Sequence, residues 1–420
     1  MHAKVPLLPL FLLLALSGTR AQQIQSLDLF SNDLVYDAQT DRIYASVPSA
    51  NGANGNSIGI INPHTAQLDT TIFIGSEPGK LALSDDGTYL YVALNGAAGV
   101  RRFAVPTRQA GLQFPLGSDL FTGLYYVEDM AVMPGKPQTI AVSRQNTGFS
   151  PRYEGVAIYD DGVRRSAVTQ DHTGSNVIEF TSPNTLIGYN NETTEFGLRQ
   201  LTVTPTGVVE NAVFANYISG FAEDILYSEG RIYATNGRVI DVSGSQPFLA
   251  GTFANVQGRV VADTAAGLIV YVEGSGFSGD TTRLTLFDPL TFLVAGTITV
   301  AENVSNSIYS AISWGACRYA FNTAEGKLVI IDGCTTAAPV LADENGLRLF
   351  PNPAADQAFV QNPTWTKTTV RMYTLQGVPV GETVSSDAVI RLDLSATPRQ
   401  TLIVEIRQAA RTVVRKLVRQ

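Results

Sequence analysis

The sequence predicts an all-β chain, a seven-bladed β-propeller followed by a small β-sandwich. Three observations lead there. A unit recurs along the chain: a polar pair, an apolar-x-apolar strand, a turn, and a second strand often ending in Tyr or Val. Apolar residues alternate with period two almost throughout, and no amphipathic helix of convincing length appears. After residue 346 the alternation continues in short runs separated by Gly, Pro and Ser, the pattern of a compact sandwich.

The polar pairs mark the repeat. They are Asn32-Asp33, Gly79-Lys80, Glu128-Asp129, Ser175-Asn176, Glu223-Asp224, Gly258-Arg259 and Asn306-Ser307. Their second members lie 47, 49, 47, 48, 35 and 48 residues apart, so there are seven units, one of them short. Unit two is the clearest: Leu81 to Leu83, the turn Ser84-Asp85-Asp86-Gly87, Tyr89 to Leu94, then Gly99 to Ala104. Gly and Asp fill the places that need turn geometry. Four strands at a period in the forties describe a propeller blade and are too long for one coil of a β-solenoid. Radial closure also removes the sheet edges that a linear array would expose.

Closure can be located. The seventh unit has three strands and runs out after Asp332, so the strand-like segment 23–30 is predicted to supply its outer strand. Cys317 and Cys334, the only cysteines, flank its last hairpin. In an exported chain they are predicted to form a disulfide, contributing at best about 3 kcal/mol for a loop of this size.

The two ends of the chain carry an address. Residues 1–21 read as a secretory signal peptide: Lys4, an apolar core from Val5 to Leu16, and small residues at Thr19 and Ala21. The apolar run is well short of the ~20 residues of a bilayer span, and no other segment is long enough to cross. The divisions expected are signal peptide 1–21, propeller 22–334, linker 335–346 and C-terminal domain 347–420. The net charge is −8. Its distribution is uneven, acidic through the propeller and basic in the last domain. An acidic body argues against nucleic acid and against anionic lipid surfaces.

The C-terminal segment contains Leu347-Arg348-Leu349-Phe350-Pro351-Asn352-Pro353, then Val370-Arg371-Met372-Tyr373-Thr374-Leu375-Gln376-Gly377, Ile390-Arg391-Leu392-Asp393-Leu394-Ser395, and Thr412 to Arg419. In that order they resemble the type A sorting domain of the type IX secretion system of Bacteroidota. Phe350, Pro351, Asn352, Pro353 and Gly377 match its motif, whereas Gln400 and Leu402 stand where the family usually has Gly-x-Tyr. The resemblance implies the type IX machinery as a partner, and a protein released or held at the cell surface. In the body, Asn56-Ser57-Ile58-Gly59-Ile60-Ile61-Asn62, Thr71 to Gly75, and Leu83 to Ala93 resemble YVTN-type propeller repeats. That implies fold and little about activity.

Several apparent motifs lack their structural context. Gly55-Asn56-Ser57-Ile58-Gly59 fits the serine-hydrolase elbow, but a strand follows it where the elbow needs a helix. Gly274 to Gly279 fits G-x-G-x-x-G, again followed by a strand, with no helix terminus for a pyrophosphate. Beyond residue 21 the only histidines are His64, predicted as a solvated turn residue, and His172, and no His/Cys cluster has zinc spacing. Asp69-Thr70-Thr71, Asp263-Thr264-Ala265 and Asp280-Thr281-Thr282 resemble the O-glycosylation acceptor of Bacteroidota.

One constellation remains. The first strand of each blade lines the channel, so Asp33, Lys80, Asp129, Asn176, Asp224, Arg259 and Ser307 are expected to ring it. Asp33, Asp129, Asn176 and Asp224 could ligate a hard cation such as Ca²⁺. In the plainer reading, Lys80 and Arg259 pair with the carboxylates and close the channel. The function expected is therefore a secreted or cell-surface monomer that binds an extracellular protein, glycan or surface ligand, with no catalysis and no cofactor. The alternative is a Ca²⁺-dependent, lactonase-like hydrolase acting at the channel.

Overall fold

The computed structural model describes residues 22–274, 281–300, 307–333, 348–350, 354, 356–362, 366–408 and 411–419. Seven four-stranded antiparallel sheets lie within 22–333. Their innermost strands are Asp33–Asp37, Pro78–Leu83, Tyr126–Val132, Val177–Ser182, Ile225–Ser228, Arg259–Asp263 and Ile308–Gly315. Each touches the next, and the last touches the first, so the blades form a closed ring. The short fifth unit is a whole blade. Its strands, Ile225–Ser228, Arg231–Ala234, Arg238–Asp241 and Phe248–Thr252, are only four or five residues long.

Closure follows the expected route. Gln23–Asp28 pairs antiparallel with Lys327–Asp332, in register from Gln23 opposite Asp332 to Asp28 opposite Lys327. Leu29, 2% exposed, then packs into the core shared by the first and last blades with Leu34, Ala45, Trp314 and Leu328. The chain is thereby fastened by its own beginning.

Blades are held face to face by apolar residues, and the recurrent second-strand tyrosine adds a polar link. Tyr91 donates its hydroxyl to the Pro137 carbonyl, Tyr271 to that of Ala234, and Tyr319 to the Asp263 carboxylate. Each of these rings is 1% exposed or less. A buried hydroxyl needs such a partner, and here the partner belongs to the neighbouring blade.

The one helix among the described residues is a 3₁₀ stretch, Ser49–Asn54, in the loop before Ser57. Ser57 opens the strand Ser57–Asn62 and is 3% exposed, so no nucleophile elbow forms there. Gly274 is described but the rest of its glycine loop lies outside the described residues. His64 is an exposed turn residue, as expected. Its Nε2 lies 2.7 Å from Asp41, and its ring packs edge-on against Trp314, because the turn folds back over the closing blade. Asp263 is 1% exposed and holds Cys317 and Tyr319, while Thr264 and Ala265 of its Asp-Thr-Ala triplet are exposed.

The C-terminal domain has a three-stranded sheet of Arg348–Phe350, Gln357–Gln361 and Val389–Asp393. The second sheet orders Pro379–Ser385, Thr368–Thr374, Thr401–Gln408 and Arg411–Val418. Val360, Val370, Ile390, Leu392 and Val404 fill the space between them. Gly377 takes φ 80°, and its N–H donates to the Thr374 carbonyl at 2.9 Å, so a turn conformation requires this glycine. Leu402 is fully buried, which explains how the strand survives without the family's Gly-x-Tyr. Pro351, Asn352 and Pro353 lie outside the described residues.

Candidate functional site: the central channel

The ring of innermost strands encloses a polar neck of about 320 Å³. Asp33, Lys80, Asp129, Asp224 and Arg259 all line it, as their place at the head of each strand predicts. Asn176 and Ser307 do not, which corrects the expected ring. In blade seven the register shifts between Ile308 and Ala311, and this irregularity carries Ser310 into the place expected for Ser307. In blade four Asn176 turns away: its Nδ2 faces Glu128 at 3.2 Å and Glu192 at 3.4 Å. Glu179, three residues further along the chain in the strand Val177–Ser182, lines the channel instead. Repeat spacing could not have found it, because the pair Ser175-Asn176 keeps the step of the other units and Glu179 stands three residues past it.

These side chains stitch neighbouring blades together. Asp33 accepts the N–H of Leu81 at 2.9 Å, joining blades one and two. Lys80 Nζ lies 3.5 Å from Asp129, joining two and three. Asp129 accepts the N–H of Ile178 at 2.8 Å, joining three and four. The Tyr227 N–H faces Glu179, joining four and five. Arg259 donates to Asp224 at 2.9 Å and to the Ile308 carbonyl at 3.2 Å, joining five to six and six to seven. The Leu34 N–H reaches Ser310 Oγ at 3.3 Å and closes the circle. The neck is thus a belt of inter-blade hydrogen bonds, and most of its charges are already engaged.

Its electrostatics follow from burial. Asp129, Asp224 and Asp33 surround Lys80 and hold its ammonium charged to higher pH than usual. Burial lifts Asp129 to about 6, although Lys80 pulls the other way. Glu179 is pushed well above the ordinary carboxyl range, first by burial and then by the like charges of Asp129 and Asp224. Outside the neck, burial raises Glu128 to about 7, with Glu192 adding repulsion and Asn176 and Arg152 opposing it.

Beyond Glu179 the channel widens into a funnel of about 700 Å³ that opens on the face of the first-to-second-strand turns. Its wall is largely apolar, with Leu81, Met130, Leu226 and Ile312 among the lining residues. Among the described residues no group of three or more His, Cys, Asp or Glu side chains is placed to hold a metal. Cys317 sits in a turn at φ 55°, and its carbonyl accepts the Gly333 N–H at 2.9 Å. Cys334 lies outside the described residues.

Residues 348–420 match the secretion system C-terminal sorting domain. The chain is accordingly exported by type IX secretion, to the cell surface or the medium, and its tail meets the secretion machinery. No curated protein matches it significantly in sequence. Among solved structures it is similar to Kuenenia stuttgartiensis hydrazine synthase, with TM-score 0.54 and 15% identity over 74% of this chain and 97% of that one. The β-propeller domain of Myceliophteria thermophila Cps50 (Swd1) gives TM-score 0.55 and 12% identity over 74% and 99%. Identities this low speak for the propeller fold alone. No helix among the described residues is long and apolar enough to cross a membrane.

Proposed function

We propose that this chain is an exported propeller that binds a protein, glycan or other surface ligand through its channel and performs no chemistry on it. The observation that supports this reading is the division of the channel. Its polar groups are spent on holding blades together, while the wide funnel beside them offers an open, mostly apolar wall. Among the described residues no nucleophile–base pair lines either part. A turnover screen with lactones, glycans and peptides is expected to be blank. A robust rate abolished by a channel substitution would overturn the proposal.

A Ca²⁺-dependent hydrolase at the neck is the second reading, and the convergence of Asp33, Asp129 and Asp224 favours it. Against it, Asp33 already accepts the Leu34 and Leu81 N–H groups, one on each oxygen, and Asn176 faces elsewhere. Calorimetric titration decides. Absent Ca²⁺ binding, or equal binding by an Asp129→Ala/Asp224→Ala variant, removes this reading.

The proposed export route begins with removal of residues 1–21 and ends in an oxidising milieu, where Cys317 and Cys334 pair. Gly333, hydrogen-bonded to Cys317, brings the chain to the right place. A reductant should lower the thermal midpoint of the parent and leave that of a Cys317→Ser/Cys334→Ser variant unmoved.

A further inference from the structure

The funnel is charged on one side of the ledger only. Asp37, Asp85 and Glu179 contribute to its lining, and among the described residues no Lys, Arg or His does. The first two are occupied. Asp37 accepts the Gln39 and Thr40 N–H groups, and Asp85 accepts that of Gly135. Glu179 differs. It lies where the funnel meets the neck, lining both. The two cations of the neck are committed elsewhere, Lys80 to Asp129 and Arg259 to Asp224. Glu179 has the Tyr227 N–H facing it and no cation of its own among the described residues.

We infer that the funnel binds a small organic cation, an alkylammonium or guanidinium whose head seats on Glu179 and whose apolar body lies along the funnel wall. The inference rests on the channel-binding reading above and names its ligand class. Two features of the cavity select this chemistry. A carboxylate at the narrow end of an apolar passage favours an opposite charge carried on an apolar stem, because the apolar wall lets water screen the pair less than in open solvent. Lys80 lines the neck beyond Glu179, where its charge opposes the further passage of a cation. An anion would meet three carboxylates and no free base, and a neutral polar ligand would meet few groups to hydrogen-bond along the wall.

The acidity of the funnel couples binding to protons. Glu179 faces Asp129 from blade three, Asp224 from blade five and Lys80 from blade two. The carboxylates and burial outweigh Lys80 and keep its proton on to higher pH than usual. A bound cation favours the ionised form, so binding should release a proton and tighten as pH rises.

The test uses the exported protein with n-hexylamine, 1-hexanol and hexanoate as matched probes, followed by calorimetry and by NMR. N-acetyl-lysine methylamide and a lysine-containing peptide separate a free amine from a side chain of a protein partner. Hexylamine should bind more tightly than hexanol by about tenfold, the scale of a charge-assisted contact, and hexanoate should not bind. Affinity should improve between pH 6 and 8, with proton release seen in buffers of different ionisation enthalpy. Glu179→Gln should abolish the preference for the amine yet keep the binding of hexanol. Ala311→Phe, which narrows the funnel without touching a charge, should weaken both. Circular dichroism and thermal midpoints confirm that each variant folds.

Equal affinity for amine and alcohol, no binding of either, or an unchanged preference in Glu179→Gln would overturn the inference. The channel-binding reading fails differently. It falls if bound amine is consumed, or if Ala311→Phe leaves attachment to a cell-surface or glycan-array ligand untouched.

Discussion

Glu128 shows what a single buried carboxyl costs. A group whose folded pKa exceeds its unfolded value binds its proton more tightly when folded. Stability is therefore intact below the unfolded value and falls as pH climbs toward the folded one. For Glu128 the window runs from 4.5 to about 7. Glu128→Gln keeps an acceptor for Asn176 and removes the titration. We expect it to raise stability at pH 8 by on the order of 1–2 kcal/mol and to flatten the profile of thermal midpoint against pH between 5 and 8. A parallel profile would count against a buried, shifted carboxyl. Lys80 presents the opposite case. Lys80→Met leaves Asp129 buried among like charges, and should cost about 1–2 kcal/mol at pH 8. This is less than the ~3–5 kcal/mol of a dry pair, because 39% of the Lys80 side chain still meets channel water. The loss should shrink at pH 5, where Asp129 takes up a proton; urea unfolding at both pH values measures it.

Among elements, the first strand is the fastener of the ring. Gln23–Asp28 supplies backbone hydrogen bonds along the whole of Lys327–Asp332, and Leu29 carries its apolar anchor. Leu29→Ala should destabilise the propeller by ~2–4 kcal/mol through the cavity it leaves. Deleting 23–30 should do more, since it also frees the edge of Lys327–Asp332 to pair with other chains. Denaturant unfolding of both variants tests this, and parental stability in the deletion would mean that the ring closes some other way. This element was legible in the sequence. The seventh unit lacked a strand, an unassigned strand preceded the first, and propeller closure demands that the two be matched.

On the scale of the whole molecule, two domains share a chain and divide its tasks. The propeller closes with Gln23–Asp28 and Lys327–Asp332 and needs no strand from beyond residue 333. A ring contact between Phe248 and Phe359, centroids 5.1 Å apart, is minor against the core of either domain. A chain ending near Ala342 should therefore keep the thermal midpoint of the propeller and fail to leave the cell past the outer membrane. Fractionation of the producing cells, together with calorimetry of the truncated protein, checks both halves. Unfolding of the propeller would refute the boundary, and continued surface delivery would refute the role of the tail.

The sequence by itself determined the ring of seven, its closure and the sorting tail. All three depend on local patterns, namely period-two alternation, turn residues and repeat spacing, which one chain displays without knowing its partners. It also placed Asp33, Lys80, Asp129, Asp224 and Arg259 in the channel, because these stand at the same step of aligned units. Only the tertiary structure exchanged Asn176 for Glu179 and Ser307 for Ser310, since an irregular register and a side-chain turn shift a residue without leaving a mark in spacing. It alone showed that the ring residues are mostly committed to neighbouring blades, and that Glu179 stands at the head of an apolar funnel with no ion pair of its own among the described residues. Charge pairing and cavity shape are set by distances between strands far apart in the chain, and those distances exist only once the ring is closed.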